Sequence, residues 1–246
     1  MTVYLVGAGP GDPELLTVKG WRLLARADVV IYDALSAPEL LEIAPPWAER
    51  ISVGKRRGRG ASQAEINELL IAKAAEYDTV VRLKGGDPFL FGRGGEEVEA
   101  LRLAGVSYEV VAGVTSALAA PLAAGIPVTH RGVAASVTVI TGNRAGSDPV
   151  SQTNWEALAQ VGGTIVVLMG VEHRGAIALR LITGGLPPTT PVAVITWATT
   201  DRQSVSRCLL SELATVIVES PSTIVIGEAA GLDLSGAHLI AEVQTL

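Results

Sequence analysis

Short aliphatic and β-branched runs alternate, along the first half of the chain, with stretches whose apolar positions recur every three or four residues. Residues 3–6, 28–32, 79–83 and 107–111 are nearly all apolar, the pattern of strands buried on both faces of a parallel sheet. Between the first two runs, Val18, Trp21, Leu24 and Ala25 fall at helical spacing. A further strand is expected at 51–53. The sequence Ser62-Gln63-Ala64-Glu65 has the form of a capping box, and Ile66, Leu69 and Leu70 would make the inner stripe of the helix it starts. A third helix carries Val98 and Leu101 and stops at Gly105. This strand–helix–strand rhythm predicts an α/β lobe.

The texture then changes. The Ala/Gly-rich segment 113–125 predicts a closely packed helix, broken or bent at Pro121. Beyond it, 136–141, 164–169, 192–197, 223–227 and 238–243 read as strands with fewer helices between them, 174–182 being the clearest helix. Residues 145–153 read as a polar loop. The expected architecture is α/β in two lobes. Residues 1–113 form a mostly parallel sheet with helices, and residues 114–246 form a mixed-sheet α/β lobe.

Composition narrows the function classes. Apolar residues make up 48% of the 246 positions and charged residues 18%, which excludes a disordered chain. The balance of 19 cationic against 25 acidic residues gives −6, which argues against a general nucleic-acid binder but leaves room for a local basic patch. A single cysteine, Cys208, excludes a disulfide framework and a Cys-clustered metal site; its apolar surroundings suit a packed side chain better than a nucleophile. No run approaches the roughly 18 apolar residues of a membrane span, and no basic-then-apolar leader opens the chain, so a cytoplasmic protein is expected.

Four segments are candidates for chemistry. Gly7-Ala8-Gly9-Pro10-Gly11-Asp12 follows the first strand, where glycines let a ligand approach the backbone. With Asp33 after the second strand it imitates a dinucleotide fingerprint, yet Asp12 stands where the third glycine belongs and Pro10 removes a donor, which disfavours a nicotinamide enzyme. The stretch from Arg82 to Glu97, RLKGGDPFLFGRGGEE, is less ordinary. It holds five glycines beside aromatic and cationic side chains after a strand, and Asp87 is placed to pair with a cationic or hydroxylated ligand. The basic cluster Lys55-Arg56-Arg57 with Arg59 suits a polycarboxylate or phosphate, because arginine grips such groups bidentately; a solvated loop is the plain alternative. In Gly125-Ile126-Pro127-Val128-Thr129-His130-Arg131, His130 beside Arg131 is a candidate substrate contact. No His/Asp/Glu spacing suits a metal, and neither a P-loop nor a nucleophile elbow is present.

Together these segments resemble the tetrapyrrole methylases, from Val3 to about Val243. Val53 to Arg56 and Gly125 to Arg131 favour the branch that C-methylates uroporphyrinogen III, in a free-standing form. The resemblance implies a homodimer and S-adenosylmethionine bound in a cleft between two α/β lobes, with S-adenosylhomocysteine as its product and no metal. It implies cofactor contacts at Pro10, Gly85, Gly86, Asp87 and Leu90, at Thr115 and Ser116, and at Met169 and Ala198. Asp33 matches the family's proposed proton acceptor and Lys55 its proposed donor. An octa-carboxylate substrate would keep a lysine charged, so Lys55, Arg56 and Arg131 read better as a clamp on acetate and propionate groups. The reaction implied is methylation at C2 and C7, through precorrin-1 to precorrin-2, toward sirohaem or cobalamin. Ala112, in place of a frequent proline, and Gly132-Val133, in place of Asp-Tyr, depart from the family pattern. The alternatives are a family member acting on a later corrin precursor or a diphthamide intermediate, a non-catalytic ligand-binding module and, more distantly, the nicotinamide oxidoreductase.

Overall fold

The structure, a computed structural model, describes residues 1–33, 38–54, 61–142 and 153–235. The chain divides into two compact units, Met1–Thr115 and Ser116–Leu246.

The first unit runs β1 (Thr2–Gly7), α1 (Val18–Leu24), β2 (Val29–Tyr32), α2 (Pro38–Glu42), β3 (Glu49–Ser52), α3 (Gln63–Glu76), β4 (Thr79–Lys84), α4 (Gly94–Leu103) and β5 (Tyr108–Val111). Its five strands are all parallel, in the order β3-β2-β4-β1-β5. Alternate residues serve opposite faces. Val30 and Val81 pack with Leu23, Leu24 and Leu40 on one side; Val29, Ile31 and Val80 pack with Ile66, Leu70 and Leu101 on the other. Covering both faces is what makes the strands read as continuous apolar runs.

The capping box at Ser62 forms both of its bonds, and such a cap contributes about 1 kcal/mol. Ile66 and Leu70 are buried and Leu69 is half-buried, as the stripe predicts. The stripe expected for α1 is displaced. Val18 and Trp21 are exposed, while Gly20, Leu23 and Leu24 face the core. A Cβ on Gly20 would come within 2.9 Å of Val6 and Leu16, so the smallest residue, invisible to a search for large apolar side chains, sets how closely α1 lies on β1.

The second unit contains α5 (Ser116–Ala123), β6 (Val137–Thr141), α6 (Trp155–Val161), β7 (Thr164–Leu168), α7 (Arg174–Thr183), β8 (Pro191–Thr196), β9 (Ser204–Leu209) and β10 (Ser222–Ile226). Its sheet is mixed, in the order β6-β7-β10-β8-β9. Only β6 and β7 pair in parallel; the other three pairings are antiparallel. The core gathers Trp155, Val167, Ile177, Leu181, Val194, Leu210 and Ile224.

Helix α5 is not broken at Pro121. It passes through that residue and ends in a Schellman cap, with Ile126 N donating to Pro121 O at 2.8 Å and Gly125 at φ +67. Three elements escaped the sequence pattern: α2, α6 and the edge strand β9. Residues 204–209 alternate between exposed and half-buried, so their polar content hid a strand that pairs along the whole of β8. Asn154, whose side chain accepts from Ala157 N at 3.0 Å, was the available signal for α6. The strand expected at 238–243 and nearly all of the loop at 145–153 lie outside the described residues.

Candidate functional site

In the first unit the candidate residues collect at the carboxyl end of the parallel sheet, where open α/β folds take ligands. The turn after β1 and the loop after β4 are zipped together: Gly9 N donates to Gly86 O at 3.3 Å and Gly86 N to Gly9 O at 2.8 Å. The turn after β5 closes on both. A Cβ on Gly113 would stand 2.1 Å from Gly86 O, and one on Gly7 would stand 2.4 Å from Gly113 Cα. Asp87 staples the junction, its Oδ2 accepting Gly113 N at 3.0 Å and its Oδ1 accepting Phe89 N at 2.9 Å. The partners seen for Asp87 are therefore the chain's own amides; each carboxylate oxygen keeps a second lone pair for a ligand hydroxyl.

Pro10, Gly85, Gly86 and Leu90 are each partly exposed around this junction. A Cβ on Gly86 would meet nothing within 4 Å although φ there is +65, so its open side admits a ligand against the backbone. Asp12, at the end of the first glycine turn, caps the short helical turn Pro13–Leu15 by accepting Glu14 N at 2.8 Å.

Asp33 follows β2 at the same end of the sheet, 33% exposed, with Oδ1 2.6 Å from Arg82 Nη2. Arg82 and Lys84 belong to β4 and are 2% exposed, so of the glycine segment's cations Arg82, Lys84 and Arg93, the first two are strand residues buried against α4. Both bind Glu97 Oε1, at 3.1 and 2.9 Å. Burial, then the neighbouring Arg82, push the Lys84 ammonium below its ordinary value, against the pull of Glu97 and Asp33. Arg93 remains in the loop and grips Glu96 bidentately, both contacts at 2.7 Å.

In the second unit β7 and β8 run in the same direction, with β10 between them. Their carboxyl ends therefore share an edge, about 10 Å apart at two strand spacings. Met169 follows β7 and is 47% exposed; Ala198 follows β8 and is buried. Among the described residues the non-glycine positions of positive φ are Phe91, Arg93, Met169, Trp197 and Thr199. All five sit in or beside the segments singled out from the sequence. Each such conformation costs about 1–3 kcal/mol and concentrates where function holds it. Gln203 secures the Ala198 loop, its Oε1 accepting Thr199 N at 2.7 Å while its Nε2 donates to Ala123 O at 3.1 Å.

His130 and Arg131 are exposed in a tight loop, closed by paired bonds between His130 and Ala134, in the segment that enters β6. They thus precede an amino end of that sheet, whereas Met169 and Ala198 follow carboxyl ends. Thr115 closes the first unit and Ser116 opens α5. Lys55 and Arg56 lie outside the described residues. Sequence reasoning missed Glu97, Trp197, Thr199 and Gln203. The signal for Glu97 was present, since cations two apart on a strand buried on both faces demand a buried carboxylate.

Among the described residues no group of three or more His, Cys, Asp or Glu side chains is placed to hold a metal ion. No helix among them is long and apolar enough to cross a membrane.

A parallel α/β unit with glycine-built turns at the carboxyl ends of its strands, followed by a mixed-sheet α/β unit with strained turns after two strands of like direction, is the class of two-unit α/β protein that these observations define. The family of tetrapyrrole (corrin/porphyrin) methylases matches residues 2–214. The S-adenosyl-L-methionine-dependent uroporphyrinogen III methyltransferase of Methanosarcina barkeri is 49% identical over 94% of this chain and 92% of its own length. The uroporphyrinogen-III C-methyltransferase of Synechocystis is 47% identical over 92% of this chain and 88% of its own. The crystal structure of uroporphyrin-III C-methyl transferase from Thermus thermophilus, complexed with S-adenyl homocysteine, superposes with a TM-score of 0.83 at 44% identity, over 94% of this chain and 99% of that one. The chain belongs to the tetrapyrrole methylase family, and is by family a methyltransferase.

Proposed function

We propose that this protein transfers methyl groups from S-adenosylmethionine to C2 and C7 of uroporphyrinogen III, through precorrin-1 to precorrin-2, supplying sirohaem or cobalamin synthesis. The observation that carries this reading is the 49% identity, along nearly the whole of both chains, to a methyltransferase named for that cofactor and that substrate.

The residues present suit an adenosyl ligand. Gly86 has an open side, Asp87 retains lone pairs beyond its two amide partners, Met169 is held at positive φ after β7, and Thr199 is held so beside Ala198. In this reading Pro10, Gly85, Gly86, Asp87, Leu90 and Thr115 contact the cofactor from the first unit. Ser116, Met169 and Ala198 do so from the second.

The sulfonium supplies a methyl group that is already electrophilic, and the pyrrole carbon is electron-rich. The protein's work is then alignment, a contribution of roughly 7–11 kcal/mol in well-oriented pairs. A proton must leave the macrocycle, and Asp33, a partly exposed carboxylate held by Arg82, is the group that takes it. Lys55, Arg56 and Arg131 grip substrate carboxylates, with His130 as a further contact, so that an acidic chain receives a polyanion through local positive charge. A Lys55→Arg variant that keeps substantial turnover supports the grip; normal substrate binding with no turnover supports proton donation instead. The reading includes a homodimer in the cytoplasm.

Anaerobic incubation with uroporphyrinogen III and S-adenosylmethionine, followed by mass analysis, is the test. A product heavier by two methyl groups is expected; unaltered substrate with turnover of a later corrin precursor would overturn the assignment.

A further inference from the structure

Four charged side chains meet on the α3/α4 side of the first sheet, and the reaction as read uses only the exposed one. Arg82 and Lys84 point to one face because side chains alternate along a strand. Glu97 of α4 is 0% exposed; its Oε1 takes Arg82 Nε at 3.1 Å, Lys84 Nζ at 2.9 Å and, more loosely, Gln63 Nε2 of α3 at 3.5 Å. Its Oε2 finds no hydrogen-bond partner among the described residues. Arg82 is the bridge. Its Nη2 reaches Asp33 Oδ1 at 2.6 Å, and its Nη1 donates to the Leu83 and Ile31 carbonyls at 3.3 and 3.5 Å. Held on every side, the guanidinium cannot swing.

As a device for stability this cluster is poor. Buried ions are expensive to desolvate, an unsatisfied carboxylate oxygen adds to the cost, and apolar residues of similar volume commonly do as well. Its placement has a chemical use. The two cations and two carboxylates balance, and only Asp33 reaches solvent. The nearby Arg93 and Glu96 at the start of α4 pair with each other and contribute little net charge, and Gln63 is neutral. Without the Glu97 carboxylate, Arg82 would lose the acceptor that holds its Nε edge, and Asp33 would lose the fixed donor that orients it.

We propose, resting on Asp33 as the proton acceptor, that Glu97 is a positioning residue for the reaction: through Arg82 it fixes the Asp33 carboxylate in place. The effect travels through two direct contacts, Glu97 to Arg82 and Arg82 to Asp33.

The test is a double-mutant cycle on turnover of uroporphyrinogen III, with wild type, Asp33→Asn, Glu97→Gln and the double variant. Glu97→Gln is expected to lower kcat about 10–100-fold, the range typical of residues that orient a functional group, with KM for both substrates little changed. In the Asp33→Asn background the same change costs almost nothing further. An equal loss in both backgrounds, a loss confined to KM, or an unchanged kcat overturns the proposal. Glu97→Asp keeps the charge but draws the carboxylate back, so it should lose less kcat than Glu97→Gln. Should Glu97→Gln fail to fold, Glu97→Asp replaces it: a kcat loss that vanishes with Asp33→Asn supports the coupling, and no loss, or an equal one, overturns it. Full activity of Asp33→Asn alone would remove the reading of Asp33 itself, an outcome distinct from additivity within the cycle.

Discussion

Gly113 and Gly86 meet backbone to backbone: a methyl group on Gly113 would stand 2.1 Å from the Gly86 carbonyl oxygen. The turn after β5 is thereby fastened to the loop after β4, and Asp87 completes the fastening through Gly113 N at 3.0 Å. These glycines look alike in the sequence and do different work in the fold.

That difference is measurable. Gly113→Ala has no space and must part the two loops, so urea unfolding should show a loss of about 1–3 kcal/mol or more. Gly86→Ala has open space and carries only the left-handed backbone cost, about 1–2 kcal/mol. It should nevertheless weaken S-adenosylhomocysteine binding in a calorimetric titration, because its methyl group would occupy the open side. Unchanged affinity in a folded Gly86→Ala protein would count against the proposed contact.

Lys84 gives a pH signature. Burial lowers its pKa from the ordinary 10.5, so between the folded value and 10.5 the unfolded chain binds more protons and stability rises with pH. Below that window both states are protonated and the penalty is constant. In urea titrations, wild type should gain stability relative to Lys84→Met as pH is raised toward 10.5. A difference between the two that stays flat over this window would contradict the direction.

Gln203 ties Thr199 N to Ala123 O. Replacing it with alanine should release the loop that carries Ala198 without touching the core. One to two hydrogen bonds of about 0.5–1.5 kcal/mol each correspond to roughly a tenfold rise in Kd for S-adenosylhomocysteine, with the melting temperature nearly unchanged. A large stability loss with intact affinity would make the residue a scaffold element only.

Cys208 is half-buried against the second core, and burial followed by the charge of Glu212 pushes its thiol up. Modification by a thiol reagent at neutral pH should be slow in the native protein and fast in urea. Cys208→Ala should turn over as wild type does.

The sequence was most legible where a local pattern suffices. Largely apolar runs announced β1, β2 and β4, and Ser62 with Glu65 announced the start of α3. The edge strand β9 was not legible, because a strand with one partner and a solvated face needs little apolar content. Val18 and Trp21 misled for a related reason: size and spacing suggested a buried face, while the small Gly20 marks the true one.

By itself the sequence determined the α/β alternation, the glycine turns after β1 and β4, and the segments that resemble the tetrapyrrole methylases, because each is written in neighbouring residues. Only the tertiary structure decided which glycines are forced by contact and which leave room, that the strand runs on to Lys84, and that Arg82 and Lys84 are answered by Glu97. It also decided that Asp33 is the exposed end of their ionic cluster. The physical reason is that backbone clearance and charge compensation are set between segments distant in the chain, and no local pattern records them.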